Sequence, residues 1–236
     1  MSNKLKVCIV VPAYNEARVI KSVIVNTFKQ FKNSSLYDIT ILVVNDSSTD
    51  KTSVISRSAG AAVVNHVLNM GAGGATATGL SYAQQNGYDL AATMDADGQH
   101  SPRDVRLCID TLVKKEADLL IGSRLINSDG MSKLKIIGNR GLSTFTYLLF
   151  GIKSTDSQSG LRVFSRNALE KLRWKSSGYE FCSEMLWRAN QLGLKIIEHP
   201  IDAIYTEYSK SKGQSNWNAL NIIKSLIKRR LSEFLR

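Results

Sequence analysis

Ala91-Ala-Thr-Met-Asp-Ala-Asp-Gly-Gln-His100 is the stretch from which the rest of the chain is read. Its apolar lead-in, Leu90 to Met94, has the character of a strand end, and the chain then breaks into a polar turn at Asp97-Gly98. Side chains alternate along an extended chain, so Asp95, Asp97 and Gln99 are expected to project to one side. Three oxygen donors on one side suit a hard divalent cation, Mg2+ or Mn2+. An isolated Asp-x-Asp is more often a hydrated turn. Here an apolar strand delivers the acids to a sheet end, and similar units lie on either side of it.

Upstream, Leu5 to Val11 is apolar except for Lys6, as in a central parallel strand covered on both faces. Pro12-Ala-Tyr-Asn-Glu16 ends it, and Val19, Ile20, Val23, Ile24, Thr27 and Phe28 recur at helical spacing. Ile39 to Val44 repeats the pattern, followed by Asn45-Asp-Ser-Ser-Thr-Asp50 and a helix from about Lys51 to Ala59. A third unit runs from Ala62-Val-Val64 through the loop Asn69-Met-Gly-Ala-Gly-Gly74 into an Ala-rich helix over Ala75 to Asn86. Alternating strands and helices imply an α/β fold with a Rossmann-like, mostly parallel sheet flanked by helices. Ligands of such sheets bind at the carboxyl ends of the strands, so the polar loops of these units face one crevice.

Downstream, Ser101-Pro102 starts a helix that continues through Val105 to Lys115, and Asp118 to Gly122 is a short strand closing in Gly122-Ser-Arg124. Met131 to Ile152 is basic at first (Lys133, Lys135, Arg140) and then apolar and aromatic. Asp156-Ser-Gln-Ser-Gly-Leu-Arg162 is a loop feeding the strand-like Val163-Phe164. Helical spacing returns over Glu180 to Gln191, and Lys195 to Ile204 reads as a late strand. Asn216 to Phe234 places Leu220, Ile223, Ile227, Leu231 and Phe234 on one face and Lys224, Lys228 and Arg229 elsewhere, a basic amphipathic helix.

Apolar residues make up 43% of the 236 and charged residues 22%, the balance of a globular chain. No apolar run approaches the roughly 18 residues of a membrane span, and no signal peptide is expected at Met1 to Glu16. Cys8, Cys108 and Cys182 are distant and set among apolar neighbours, which disfavours disulfides and zinc and fits a reducing cytoplasm. The net charge of +11 leans towards the C-terminus, and nucleic acid, an anionic membrane or a phosphorylated substrate would each explain it. Nucleic acid is disfavoured because the acids cluster at strand ends and aromatics are not interleaved with the basic residues.

A crevice with a carboxylate-bound cation beside arginines suits a pyrophosphate, since the cation neutralises charge and Arg forks bind phosphate bidentately. Asp46 is placed to accept a hydrogen bond from a base or ribose. Gly71, Gly73 and Gly74 lack the dinucleotide fingerprint, and no Walker-type Gly-Lys-Ser appears. Hydride transfer and nucleotide hydrolysis lose ground to a metal-assisted sugar-nucleotide reaction.

Together, Val11 to Glu16, Val44 to Asp50, Met94 to His100 and Gly122-Ser-Arg124 resemble the family 2 inverting glycosyltransferases of the GT-A fold. Asn139-Arg140, Asp156 to Arg162, Gly178-Tyr-Glu-Phe181 and Glu198-His-Pro-Ile201 are similar to the dolichyl-phosphate mannose synthase and polyprenyl-phosphate glycosyltransferase branch. The resemblance implies that Pro12, Tyr14, Glu16, Asp46 and Asp95 bind the nucleotide of the donor. It implies Asp95, Asp97 and Gln99 for Mg2+ or Mn2+, and Asp97, Arg124 and Arg140 as catalytic residues. Arg140, Arg162, Ser211 and Lys212 are implied for the acceptor. A GT-A domain is expected over 1–212, with a nucleotide-binding half over about 1–124 and an acceptor-side half over about 125–212. The amphipathic helix then occupies 213–236. Asn45 and Ser47 stand where the family often has Asp and Gly, and Tyr208-Ser-Lys210 stands where an arginine commonly precedes Gly-x-Ser-Lys.

The expected reaction moves a sugar from a GDP- or UDP-linked donor to a polyprenyl phosphate. An ionised phosphate acceptor needs no general base. A sugar hydroxyl would need one, for which Glu180 or Glu184 is the candidate. The C-terminal helix is expected either to contact the cytoplasmic membrane surface or to pack against the domain. His100 reads as a hydrogen-bonded loop histidine rather than a ligand.

Overall fold

The N-terminal apolar run forms β1 (Leu5–Ala13), buried on both sides, with Val7, Ile9 and Val11 in one core and Cys8 and Val10 in the other. That two-sided burial is why the run does not alternate between apolar and polar. The computed structural model describes residues 4–128, 131–205, 208, 222–228 and 230. α1 (Ile20–Phe31) turns Ile20, Val23, Ile24 and Phe31 inward, and β2 (Tyr37–Asn45) pairs with β1 in parallel over its full length. α2 (Thr52–Ser58), β3 (Ala62–Asn65), α3 (Gly71–Gln85) and β4 (Leu90–Thr93) complete the first half.

The second half contributes α4 (Pro102–Lys115), β5 (Leu119–Ser123), α5 (Lys133–Phe150), β6 (Arg162–Ser165), α6 (Arg166–Lys171), α7 (Phe181–Gln191) and β7 (Ile196–Pro200). All seven strands join one sheet in the order β3-β2-β1-β4-β6-β5-β7. Every neighbouring pair is parallel except those made by β6, which runs antiparallel to β4 and β5. The expected mostly parallel α/β sheet is therefore present, and β6 is inserted beside the strand that carries the acids.

Three details differ from the sequence reading. α3 begins at Gly71, so the glycines read as loop form its first turn. Gly73 N donates to Ser177 O at 2.7 Å, an approach that a Cβ at 73 would block at 2.4 Å from Ser176 O. α6 follows β6 directly, capped by Ser165, whose hydroxyl accepts from Ala168 N, and was too short to stand out by periodicity. The described part of the C-terminal helix, 222–228, is seated on the domain. Ile222 and Leu226 are buried in the core that contains Trp187, while Lys224, Ile227 and Lys228 face outward. Packing thus claims Ile222 and Leu226, with Ile223 partly buried against the same core, and leaves Ile227 of the expected stripe exposed. Leu220, Leu231 and Phe234 lie outside the described residues.

Candidate active site

Beyond Thr93 the chain leaves the sheet and turns at Ala96 to Gly98, where Gly98 takes φ +80. The acids are therefore not gathered by the alternation of an extended strand, as the sequence suggested, but by this turn. Gln99 N donates to Asp97 Oδ1 at 3.0 Å, and the Gln99 amide donates to Asp97 Oδ2. Burial raises the Asp97 carboxyl above the ordinary aspartate range, and the charge of Asp95 adds to it. Two carboxylates that resist joint ionisation are suited to a cation.

Among the described residues no three His, Cys, Asp or Glu side chains converge on one point as a closed metal cage. The donor set at this turn is instead open: two carboxylates and an amide oxygen, hard ligands that leave positions for phosphate oxygens, as Mg2+ and Mn2+ prefer. The residues fit such an ion.

Arg124 follows β5 and faces the same crevice. Its Nε and Nη2 donate to Asp156 Oδ2 and Oδ1 at 2.7 and 2.9 Å, a two-pronged pair with a fully buried carboxylate. Burial opposes the guanidinium charge, but Asp156 outweighs it and Asp95 adds to the effect, so Arg124 stays protonated. Among the described residues, Nη1 makes no hydrogen bond. Ser143 on α5 donates to Thr155 O at 3.3 Å and accepts from Ser157 N at 3.0 Å, which fastens α5 to the loop holding Asp156. Arg140, three residues earlier on α5, is exposed and makes no ion pair among the described residues.

On the nucleotide side, Pro12 is the second-last residue of β1 and Tyr14 is exposed, while Glu16 is buried and accepts from the Tyr208 hydroxyl at 2.7 Å. Asp46 is buried as well. Its carboxylate accepts from Met70 N and Gly71 N at 2.8 and 2.9 Å and meets His66 Nδ1 at 2.7 Å. It therefore anchors the turn into α3, and its expected contact to base or ribose competes with three bonds already made. His66 was missed by sequence reading, as a single histidine after a short strand carries no pattern.

Two expectations are corrected. Arg162 is buried and donates to the backbone carbonyls of Ser157, Ser159 and Cys182, so it braces the loop before β6 and presents nothing to an acceptor. Glu184 is fully buried and accepts from Lys175 N, Ser176 N and the Ser176 hydroxyl, so it cannot take a proton from an acceptor as a general base. Ser211 and Lys212 lie outside the described residues.

The family profile described as Glycosyl transferase family 2 matches residues 8–173. An uncharacterized protein of Methanocaldococcus jannaschii is 41% identical, with 97% of this chain and 94% of that protein covered. The UDP-N-acetylglucosamine--dolichyl-phosphate N-acetylglucosaminyltransferase of Methanococcus voltae is 37% identical, with both chains covered in full. Among solved structures, the glucosyl-3-phosphoglycerate synthase of Mycobacterium tuberculosis, crystallised with Mn2+, UDP and glucosyl-3-phosphoglycerate, superposes with a TM-score of 0.73. It shares 21% identity over 97% of this chain and 79% of that one, a likeness of fold.

Proposed function

The chain belongs to glycosyl transferase family 2 and has the GT-A fold, and from that premise we propose that it transfers a sugar from a UDP-linked donor to a membrane-borne polyprenyl phosphate. The observation that carries this reading is the pairing of the acidic turn after β4 with Arg124, held by buried Asp156. Cation and guanidinium would flank the donor diphosphate from two sides. The Methanococcus voltae relative, named for a UDP-sugar donor and a dolichyl-phosphate acceptor, supports the choice of both.

Asp95, Asp97 and Gln99 would hold a Mg2+ or Mn2+ ion, which when bound would supply charge neutralisation for the diphosphate. Arg124, oriented by Asp156, offers its remaining N–H groups to a phosphate in a fixed direction, so no reorganisation is needed as charge develops. Arg140 stands at the exposed rim of α5, where the acceptor phosphate would arrive. Displacement at the anomeric carbon needs no base when the attacking oxygen belongs to a phosphate monoester, largely ionised at neutral pH.

Membrane contact is assigned to α5. Leu134, Ile137 and Leu148 are 81%, 67% and 75% exposed along one side of α5, with Gly138 and Gly141 between them. Lys133, Lys135 and Arg140 accompany this stripe, as suits an anionic bilayer.

The test is transfer from UDP-N-acetylglucosamine, UDP-glucose and GDP-mannose to dolichyl and undecaprenyl phosphate with Mn2+. The reading predicts turnover with a UDP-sugar and lipid phosphate, abolished by Asp97→Ala. Turnover only with a sugar-hydroxyl acceptor would overturn it.

A further inference from the structure

His100 belongs to the acidic turn, yet its side chain is 1% exposed while that of Asp95 is 47% exposed. Its Nδ1 accepts a hydrogen bond from Asp95 N at 3.0 Å. A ring nitrogen that accepts from an N–H uses its lone pair and carries no proton, so the proton of the neutral ring sits on Nε2. That Nε2 is buried, has no hydrogen-bond partner among the described residues, and lies 3.7 Å from Asp95 Oδ2. A protonated nitrogen has no lone pair for a cation. It is a buried donor beside a carboxylate, beyond direct hydrogen-bond reach.

Gly160 lies against the same carboxylate. A Cβ there would stand 2.3 Å from Asp95 Oδ1 and 2.9 Å from Cγ, so only glycine lets the backbone lie against the carboxylate. The Gly160 carbonyl accepts from Thr93 Oγ1 at 2.7 Å, which pins that backbone to the strand from which Asp95 emerges. The Asp95 carboxylate thus has a tautomer-fixed imidazole N–H and a side-chain-free backbone as neighbours.

We propose that His100 and Gly160 are positioning residues that together fix the Asp95 carboxylate for the phosphate-bound cation, and that His100 does not ligate it. This rests on the reading of Asp95 and Asp97 as the cation site. Residues behind metal ligands fix ligand orientation and change metal affinity by about 10- to 100-fold when removed.

The tautomer is read directly on the wild-type protein labelled with 15N-histidine, whose histidines are His66, His100 and His199. His100 is assigned from the signal lost in His100→Gln. The expected spectrum has Nδ1 unprotonated and Nε2 protonated, both unchanged on adding Mg2+ and UDP. Loss of the Nε2 proton on adding Mg2+ would make His100 a ligand and overturn the proposal.

Calorimetry of Mn2+ binding in the presence of UDP then separates the parts. His100→Asn keeps an acceptor for Asp95 N but cannot reach Oδ2, and should weaken Mn2+ about tenfold, as should Gly160→Ala. His100→Gln, whose amide N–H can replace the distal donor, should stay within about threefold of wild type. Wild-type affinity in both His100→Asn and Gly160→Ala would sink the proposal while leaving the cation site intact. Wild-type affinity in Asp97→Ala would instead remove the cation site on which it rests.

Discussion

Asp97 is held in a state that favours a cation over a proton only when the solution allows it. Burial first, and Asp95 second, raise its carboxyl above the ordinary aspartate value, so the metal-free fold binds a proton there more tightly than the unfolded chain does. Ionising Asp97 without a cation therefore costs native stability, and lowering the pH through the raised value restores it. A divalent ion must displace that proton, so affinity for Mn2+ falls as pH falls through this window and binding releases protons. Calorimetry at mildly acidic pH in buffers of different ionisation enthalpy should detect that release; identical heats would contradict it. Asp156→Ala should have a larger structural effect, because Arg124 would keep its charge with no counter-ion in a mostly buried place. A loss of about 3 kcal/mol is expected in urea unfolding, along with a raised donor KM. The acids at 95 and 97 were legible in sequence because a strand delivers them into a turn. Asp156 was not, since an Asp-Ser-Gln-Ser loop does not say which arginine will need it, and Gly160 is explained only by the carboxylate beside it.

At the scale of elements, the described part of the C-terminal helix packs on the domain, while α5 keeps an apolar side exposed. Both carry apolar residues at helical spacing with lysines nearby, and sequence alone cannot say which face finds a partner within the domain. Leu142, Ser143, Thr146 and Phe150 turn α5 inward, leaving Leu134, Ile137 and Leu148 outside. Leu134→Glu with Leu148→Glu should lower partitioning onto anionic liposomes by about tenfold or more, as expected for losing two buried leucines, with an unchanged melting temperature. Leu226→Ala should do the reverse, costing about 2–4 kcal/mol of stability as a core truncation while leaving liposome binding of the folded fraction intact. Asp118 ties β5 to its neighbours. Burial alone would raise its carboxyl, but bonds from Asn167, Lys195 N and Ser165 outweigh that and hold it low. Its contribution is present above the unfolded aspartate value of about 4 and disappears as pH falls through the folded one. Asp118→Ala should cost about 1 kcal/mol at pH 7, kept small by partial exposure, and progressively less as pH falls through the lowered value. A pH-independent loss in acid unfolding would contradict this.

For the whole molecule, the order β3-β2-β1-β4-β6-β5-β7 puts β4 at the centre and the loops after β1, β2, β4 and β5 on one rim. The parallel frame was legible because each apolar run is followed by a polar loop and a helix. The antiparallel β6 was not, because Val163-Phe164 is buried on both sides in either direction. Its position brings Gly160 and Asp156 across the sheet to the acids and to Arg124, so the crevice is complete only when both halves of the chain are in place. The central claim is that the turn after β4 grips a divalent ion that shares the diphosphate with Arg124. Anomalous scattering from crystals soaked with Mn2+ and UDP tests it most directly. A manganese peak in ligating contact with Asp97, with a phosphate of UDP reaching Arg124, is predicted; UDP bound with the manganese elsewhere, or with none, would contradict the account.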